Sequence, residues 1–257
     1  MIVSIITICF NNEVDILQTL ESVVNQSYKK IEYIIIDGGS TDGSMEIIRR
    51  YSHYVSKIVS EKDAGIYDAI NKGISLSTGG IVGLIHAGDI LFDNNVISKI
   101  AYNFHENPDL EAIYGHSMII SGEKIIRINK SSKFSKAKFK YGWMPSHQSF
   151  YAKRILFERY GLYNLKYKIA ADYELLLRFL YVNNINVSNI DEYIIKFRLG
   201  GTSTKSLKNI IKMNKECLQA WRDNNLRPPI YLIMFKFLRK IPQFLNAEKL
   251  KYVSNKK

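Results

Sequence analysis

The 257-residue sequence has two cysteines, no long hydrophobic run and no nucleotide-loop signature of the common kinds. Cys9 and Cys217 lie far apart with no partner spacing, which argues against a disulfide framework and favours a reducing, cytoplasmic compartment. Cys9 sits inside the apolar run 3–10 and reads as a small core residue. No apolar stretch approaches the ~20 residues needed to span a bilayer. The apolar amino terminus lacks a basic leader and a small-residue cleavage site and breaks at Asn11-Asn12, so a buried strand is expected there, not a signal peptide. Neither a Walker lysine spacing nor G-x-G-x-x-G occurs, which weakens P-loop and dinucleotide readings. No internal repeat is visible.

What is present begins with an uneven charge. The net charge is +12, yet from Lys196 onward 15 Lys and Arg face only Glu216, Asp223 and Glu248. The 21 basic and 21 acidic residues before Lys196 cancel. The body is neutral and the carboxyl-terminal segment carries all of the charge. At 46% hydrophobic residues, the chain can bury a substantial core.

Apolar periodicity predicts strands over 3–10, 32–36, 57–60 and 81–85, with helices over 13–26, 44–51 and 66–75 between them. Isoleucine-rich strands alternating with helices imply parallel pairing and an α/β sheet. After Pro108 the pattern predicts strands over 112–120 and 124–129, a basic Ser-rich stretch over 130–140, a helix over 172–181, a strand over 193–199 and a long helix over 207–224. Pro228-Pro229 punctuates the chain. Three strand ends are polar: Phe10-Asn11-Asn12, Asp37 to Asp42, and His86 to Asp89. In an open α/β sheet, ligands bind beyond such carboxyl ends. Acids there suit ribose, base edges or a metal. Asp37 can accept from a base N–H or a ribose hydroxyl, or enter the following helix as a cap, and Ser40 or Thr41 can cap it equally well.

Four ordered blocks resemble the family-two glycosyltransferases: Ser4 to Asn12, Leu20 to Tyr28, Ile36 to Gly43, and Glu61 to Gly73. The resemblance continues through Asp89 and Ala170-Ala171-Asp172-Tyr173-Glu174 and covers roughly the first four-fifths of the chain. It implies an α/β fold of the GT-A (Rossmann-like) type, a mixed sheet flanked by helices with a basic helical carboxyl-terminal extension. The expected division is a glycosyltransferase domain over 1–205, with a nucleotide-binding half (1–107) and an acceptor half (108–205), followed by a basic amphipathic tail over 206–257.

The resemblance also implies an inverting transfer of a hexosyl or N-acetylhexosaminyl group from a nucleotide-diphosphate donor, UDP favoured, to a hydroxyl of a glycan or polyprenyl-linked acceptor in bacterial cell-surface polysaccharide synthesis. Thr7, Phe10, Asp37 and Asp63 then surround base and ribose, and Asn11, Gly39, Ser40 and Ala87 belong to the same donor site. Relatives usually carry a second acid where this chain has Gly38. His86-Ala87-Gly88-Asp89 stands at the position of the family's D-x-D-type motif, so Asp89 is the expected ligand of Mg²⁺ or Mn²⁺, with His86 a ligand, a donor contact or a packed residue. Lys72 is a candidate phosphate contact or a solvated helix lysine. Asp172 is the expected general base, though a helix-start aspartate is also an ordinary cap. Glu174 contacts the acceptor or faces solvent. His147, in a loop that resembles the family's closing loop, is a phosphate or sugar contact or a structural hydrogen-bonding residue. A non-catalytic nucleotide-sugar-binding protein is the alternative.

In the basic segment, Lys208, Lys212, Lys215 and Arg222 share one helical face, opposite Leu207, Ile210, Ile211, Leu218 and Trp221. Lys236, Arg239 and Lys240 repeat this opposite Tyr231, Met234, Phe235, Leu238 and Ile241. Such helices suit an anionic membrane surface, placing the protein at the inner face of the cell membrane. Nucleic acid is not expected as a partner, because no binding motif for it accompanies the charge.

Overall fold

The computed structural model describes residues 1–122, 124–198 and 206–239. Strand β1 (Val3–Cys9) is buried along its whole length and pairs in parallel with β2 (Ile31–Asp37), Val3 opposite Ile31 and Cys9 opposite Asp37. On one face Ile6, Ile8, Ile34 and Ile36 pack under α3 (Ile66–Leu76). On the other Val3, Ile5, Tyr33 and Ile35 pack against α1 (Ile16–Val24) and α4 (Val96–Glu106). Burial on both faces is why these strands are continuous apolar runs with no polar alternation.

Strands β3 (Lys57–Ser60) and β4 (Ile81–Leu84) flank this pair in parallel, and α2 (Ser44–Arg50) joins β2 to β3. The rest of the sheet, which has nine strands among the described residues, is mixed. A short β5 (Ile90–Leu91) pairs antiparallel with β9 (Val187–Arg198), while β6 (Ala112–Ser121) runs parallel to β9 and antiparallel to both β7 (Lys124–Asn129) and β8 (Phe150–Lys153). Strand β8 then pairs antiparallel with β4, Ile81 opposite Lys153 and Gly83 opposite Tyr151. That reversal matters for the site: the start of β8, preceded by His147 to Ser149, arrives at the edge where β4 ends in His86 to Asp89.

Several elements depart from the periodicity. The first helix starts at Ile16, because the chain turns at Asn11, with φ +47°. The helix expected over 172–181 is α over Ala171–Leu176 and π over Leu177–Val182. The sequence reading missed α4, although Val96, Ile97, Ile100, Ala101 and Phe104 are all buried at helical spacing, and it also missed β5, β8 and α6 (Ile155–Tyr160). Short helix α5 (Lys136–Lys140) interrupts the basic stretch.

The first described helices of the basic segment pack onto the domain. In α8 (Leu207–Asp223) the buried residues are Cys217, Ala220 and Trp221, and the Trp221 indole N–H donates to the Tyr173 hydroxyl at 2.7 Å. The Glu216 carboxylate accepts the backbone N–H groups of Lys168, Ile169 and Ala170 at 3.2, 2.9 and 2.9 Å. These donors precede α7 (Ala171–Leu176), where a helix leaves N–H groups without intrahelical partners. Helix α8 thus fixes the segment carrying Asp172 and is no appendage. Lys240, Ile241 and the rest of the expected tail lie outside the described residues, as does the loop 199–205.

Trp221→Ala should cost about 3–5 kcal/mol of stability, the usual range for emptying an aromatic core site. Chemical denaturation monitors this; an unchanged midpoint would mean that α8 is dispensable to the fold.

Candidate active site

At the nucleotide end, the structure assigns Asp37 a different task from the one expected. Its side chain is fully buried. Oδ2 accepts the Gly39 and Ser40 N–H groups at 3.1 and 3.0 Å and the Ser60 hydroxyl at 2.6 Å, while Oδ1 accepts the Ser40 hydroxyl at 2.5 Å. With four donors on two oxygens, Asp37 holds the turn in shape and has no exposed atom to offer a base. Thr7 is likewise fully buried, its hydroxyl bonded to the Tyr33 hydroxyl at 3.0 Å. Ser40 accepts from the Asn11 N–H at 2.8 Å, and Asn11 Oδ1 accepts from the Thr41 N–H at 2.9 Å. Gly39, at φ +82°, closes the turn. Thr7 and Asp37 are therefore enclosed as scaffold, whereas Asn11, Gly39 and Ser40 keep surface beside them that the expected donor contacts would use.

What they frame is a surface made by Phe10, Gly38 and Asp63. Phe10 is 63% exposed, unusual for a phenylalanine at a strand end. A Cβ at Gly38 would stand 2.6 Å from Asp63 Oδ2 and 3.4 Å from the Phe10 ring. The acid missing at position 38 is thus replaced in space by the Asp63 carboxylate. Lys72 is committed elsewhere, with Glu61 at 2.8 Å and Asp68 at 3.3 Å. It does not line the cavity described next.

Beyond the ends of β1 and β4 lies a cavity of about 770 Å³ whose walls include His86, Ala87, Asp89, His147 and Asp172. Gly88 turns the chain with φ +97°, a conformation that a carboxylate-bearing residue adopts only with strain. This accounts locally for Gly88 in place of a second acid. Asp89 is buried, and burial pushes its pKa up to about 7. Burial, with repulsion from His147, holds His86 at about 3, so its imidazole is neutral, and Nδ1 has no hydrogen-bond partner among the described residues. A hard cation accepts one or two protein carboxylates and completes its shell with phosphate and water. Asp89 fits that part: a buried carboxylate whose ionised form a cation would restore. No cluster of three His, Cys, Asp or Glu residues converges on a metal position among the described residues, so a donor diphosphate would have to supply most of the shell.

Asp172 lies across the cavity near His147, whose Nδ1 is 3.0 Å from its Oδ2. Asp172 is not the cap residue of α7, a position that Ala170 holds. Burial works against ionisation of Asp172, but His147, the Tyr173 N–H and Lys236 outweigh it and hold the pKa below the usual carboxylate value. Burial likewise disfavours the His147 imidazolium, and the Asp172 carboxylate overcomes it, raising that pKa. The result is an ionised carboxylate at neutral pH, as a general base requires. Tyr67 borders Asp172, its hydroxyl donating to the Ile169 carbonyl at 2.8 Å, and stacks on Tyr163 at 5.7 Å. Glu174 does neither thing expected of it: it is buried and bonds Arg178 with both oxygens at 2.9 Å.

The sequence reading missed Lys236 as a cavity residue. On α9 (Leu232–Leu238), Leu232 is buried and Lys236, one turn on, faces inward, donating to Cys217 Sγ at 3.0 Å and lying 5.4 Å from the Tyr173 ring centre. The exposed side carries Met234, Phe237 and Leu238. On this helix Lys236, expected with Arg239 and Lys240 on a face toward an anionic surface, points into the domain, whereas Lys208, Lys212, Lys215 and Arg222 of α8 are exposed. A helical wheel separates the two faces without saying which one meets the domain; here the contacts of Lys236 with Cys217 and Tyr173, and of Phe235 with Tyr141, show it.

The Glycosyl transferase family 2 profile matches residues 4–165. A PGL/p-HBAD biosynthesis glycosyltransferase of Mycobacterium bovis is 28% identical over 162 residues. The match covers 62% of each chain, so the sequence spans less than two thirds of that relative's length. Among solved structures, S. aureus TarS 1-349 in complex with UDP-GlcNAc superposes with a TM-score of 0.71 at 15% identity, covering 96% of this chain and 79% of that one. Mannosyltransferase PcManGT from Pyrobaculum calidifontis, in complex with GDP-Man and Mn²⁺, gives 0.65 at 16% identity, with coverages of 98% and 75%. At these identities the structures speak for the fold. The chain belongs to glycosyltransferase family two, and its mixed sheet flanked by helices is the GT-A fold.

Removing the Asp37 carboxylate leaves several buried donors without a partner, each costing roughly 1–3 kcal/mol. Asp37→Ala should therefore lower stability by more than about 3 kcal/mol in a denaturant titration. Unchanged stability with weaker nucleotide binding would return Asp37 to the ligand.

Proposed function

We propose that this family-two member is an inverting glycosyltransferase that moves a hexosyl or N-acetylhexosaminyl group from a nucleotide-diphosphate donor, a UDP-sugar by preference, to an acceptor hydroxyl, with Asp172 as general base. The observation that carries the reading is the His147–Asp172 contact at 3.0 Å, in the same cavity as Asp89. Phe10 and Asp63 take the base and ribose: an exposed ring offers a packing surface and a carboxylate accepts from N–H or hydroxyl donors.

The acceptor oxygen attacks the anomeric carbon as its proton passes to an Asp172 oxygen. The bond from that carbon to the diphosphate oxygen breaks, and its electron pair leaves with the nucleoside diphosphate. His147 fixes the carboxylate in place and keeps it ionised. Asp89, with His86 beside it, would hold Mg²⁺ or Mn²⁺ against the donor phosphates, where the ion supplies positive charge to the departing group.

Asp172→Asn keeps the shape and removes the base. Transfer should fall by roughly 10²–10⁴-fold, with donor affinity changed less than about twofold. Undiminished turnover would eliminate the base assignment. The non-catalytic alternative predicts donor binding with no sugar released even by the native chain.

The proposal extends to a lipid-linked acceptor in polysaccharide synthesis, met at the inner face of the membrane, and the exposed apolar side chains of the carboxyl-terminal helices support the membrane part of it. No helix among the described residues is long and apolar enough to cross a bilayer. Exposed Met234, Phe237 and Leu238, with Leu207 and Ile211 beside the α8 lysines, suit shallow insertion assisted by anionic lipid. Flotation with phosphatidylglycerol vesicles should show salt-sensitive binding that a Met234→Ser, Phe237→Ser, Leu238→Ser variant loses by about fivefold or more. Equal recovery of variant and native chain would remove the membrane from the account.

A further inference from the structure

The cavity beside Asp172 is lined by two lysines that no carboxylate pairs among the described residues. Lys236 reaches it from α9 and Lys168 from the loop before α7, with Arg127 of β7 also in its wall. Among the described residues, neither Lys168 nor Lys236 has a carboxylate within ion-pair distance. The groups nearest Lys236 do not neutralise it: burial pushes the Cys217 thiol pKa up, leaving it uncharged, and the other neighbour is the Tyr173 ring. Asp172 feels Lys236, but its close partner is His147.

Both lysines border the segment that carries Asp172: Lys236 lies 5.4 Å from the ring centre of Tyr173, the residue after Asp172, and Lys168 precedes it in the loop leading to α7. A sugar reacting between Asp89 and Asp172 has its diphosphate toward Asp89, which leaves the lysines beside Asp172 to the acceptor. Both lysines are on segments tied to α8, Lys168 through Glu216 and Lys236 through Cys217, so they form part of a built wall. Ile126, Met144, Ile169 and Met213 supply apolar surface around them.

We propose that the acceptor carries a phosphoryl group close to the hydroxyl it offers, and that Lys236 and Lys168 bind that group. This rests on the glycosyltransferase reading of the same cavity. A lysine ammonium binds phosphate as a point charge, and two are needed here because the Asp172 carboxylate repels an incoming anion. The arrangement selects phosphorylated acceptors over neutral ones and places the hydroxyl within reach of Asp172.

Calorimetric titration of the full chain with farnesyl phosphate, farnesol, inorganic phosphate and UDP separates the possibilities. Farnesyl phosphate should bind about tenfold or more tighter than farnesol, and a Lys168→Gln, Lys236→Gln variant should lose that preference while its UDP affinity moves less than about twofold. Lys236→Arg, which keeps the charge, should retain the preference and guards against a folding artefact. Lysine-dependent binding of inorganic phosphate, without gain from the farnesyl chain, supports the same site and assigns it to a water-soluble phosphorylated acceptor. The proposal is overturned if farnesol matches farnesyl phosphate, if neither phosphate probe binds, or if the double variant keeps the preference. A parallel loss of UDP binding overturns it too, assigning the lysines to the donor. Failure of the parent reading looks different: native chain that neither binds nor cleaves UDP-sugars, with the phosphate preference intact.

Discussion

A carboxylate and an imidazole 3.0 Å apart in one cavity are the contact on which the proposed chemistry depends. Burial alone would drive both groups toward neutrality; facing each other, Asp172 stays ionised and His147 is biased toward its proton. Pairs of this kind contribute little net stability, because desolvation offsets their attraction. Their presence in a cavity that also contains a buried Asp89 is better explained by chemistry than by folding. Everything else near the site serves to bring these side chains together from distant parts of the chain.

Two features of the fold do so. The antiparallel pairing of β8 with β4 carries His147 to the edge where β4 delivers His86 and Asp89. Glu216, on α8, ties down the backbone just before Asp172, and Trp221 locks α8 to α7 through Tyr173. The basic carboxyl-terminal segment is thereby tied to the cavity. It positions Asp172, the proposed base, contributes Lys236 to the cavity wall, and presents apolar side chains outward from α9.

The parallel half of the sheet was legible in the sequence because its determinants are local: isoleucine runs buried on both faces, and helical periodicity between them. The polar strand ends at His86 to Asp89 were legible for the same reason. What escaped was set by partners distant in sequence. Asp37 looked like a ligand residue, and nothing in its neighbourhood announced that Ser60 would help to saturate it. Gly38 looked like a lost acid, yet Asp63 fills the space from 25 positions on. Lys236 fell on the basic face of an amphipathic helix expected at a membrane surface, and only the docking of α9 turned it inward. Helix α4 had a clear apolar stripe that was overlooked.

The central claim is a single displacement at the anomeric carbon, driven by the Asp172 carboxylate. The most direct measurement is proton NMR of the sugar first released when the enzyme hydrolyses a UDP-α-sugar without acceptor, recorded before mutarotation. Water attacking in the acceptor's place should give the β-anomer initially, while initial release of the α-anomer would contradict the displacement and the role of Asp172 in it.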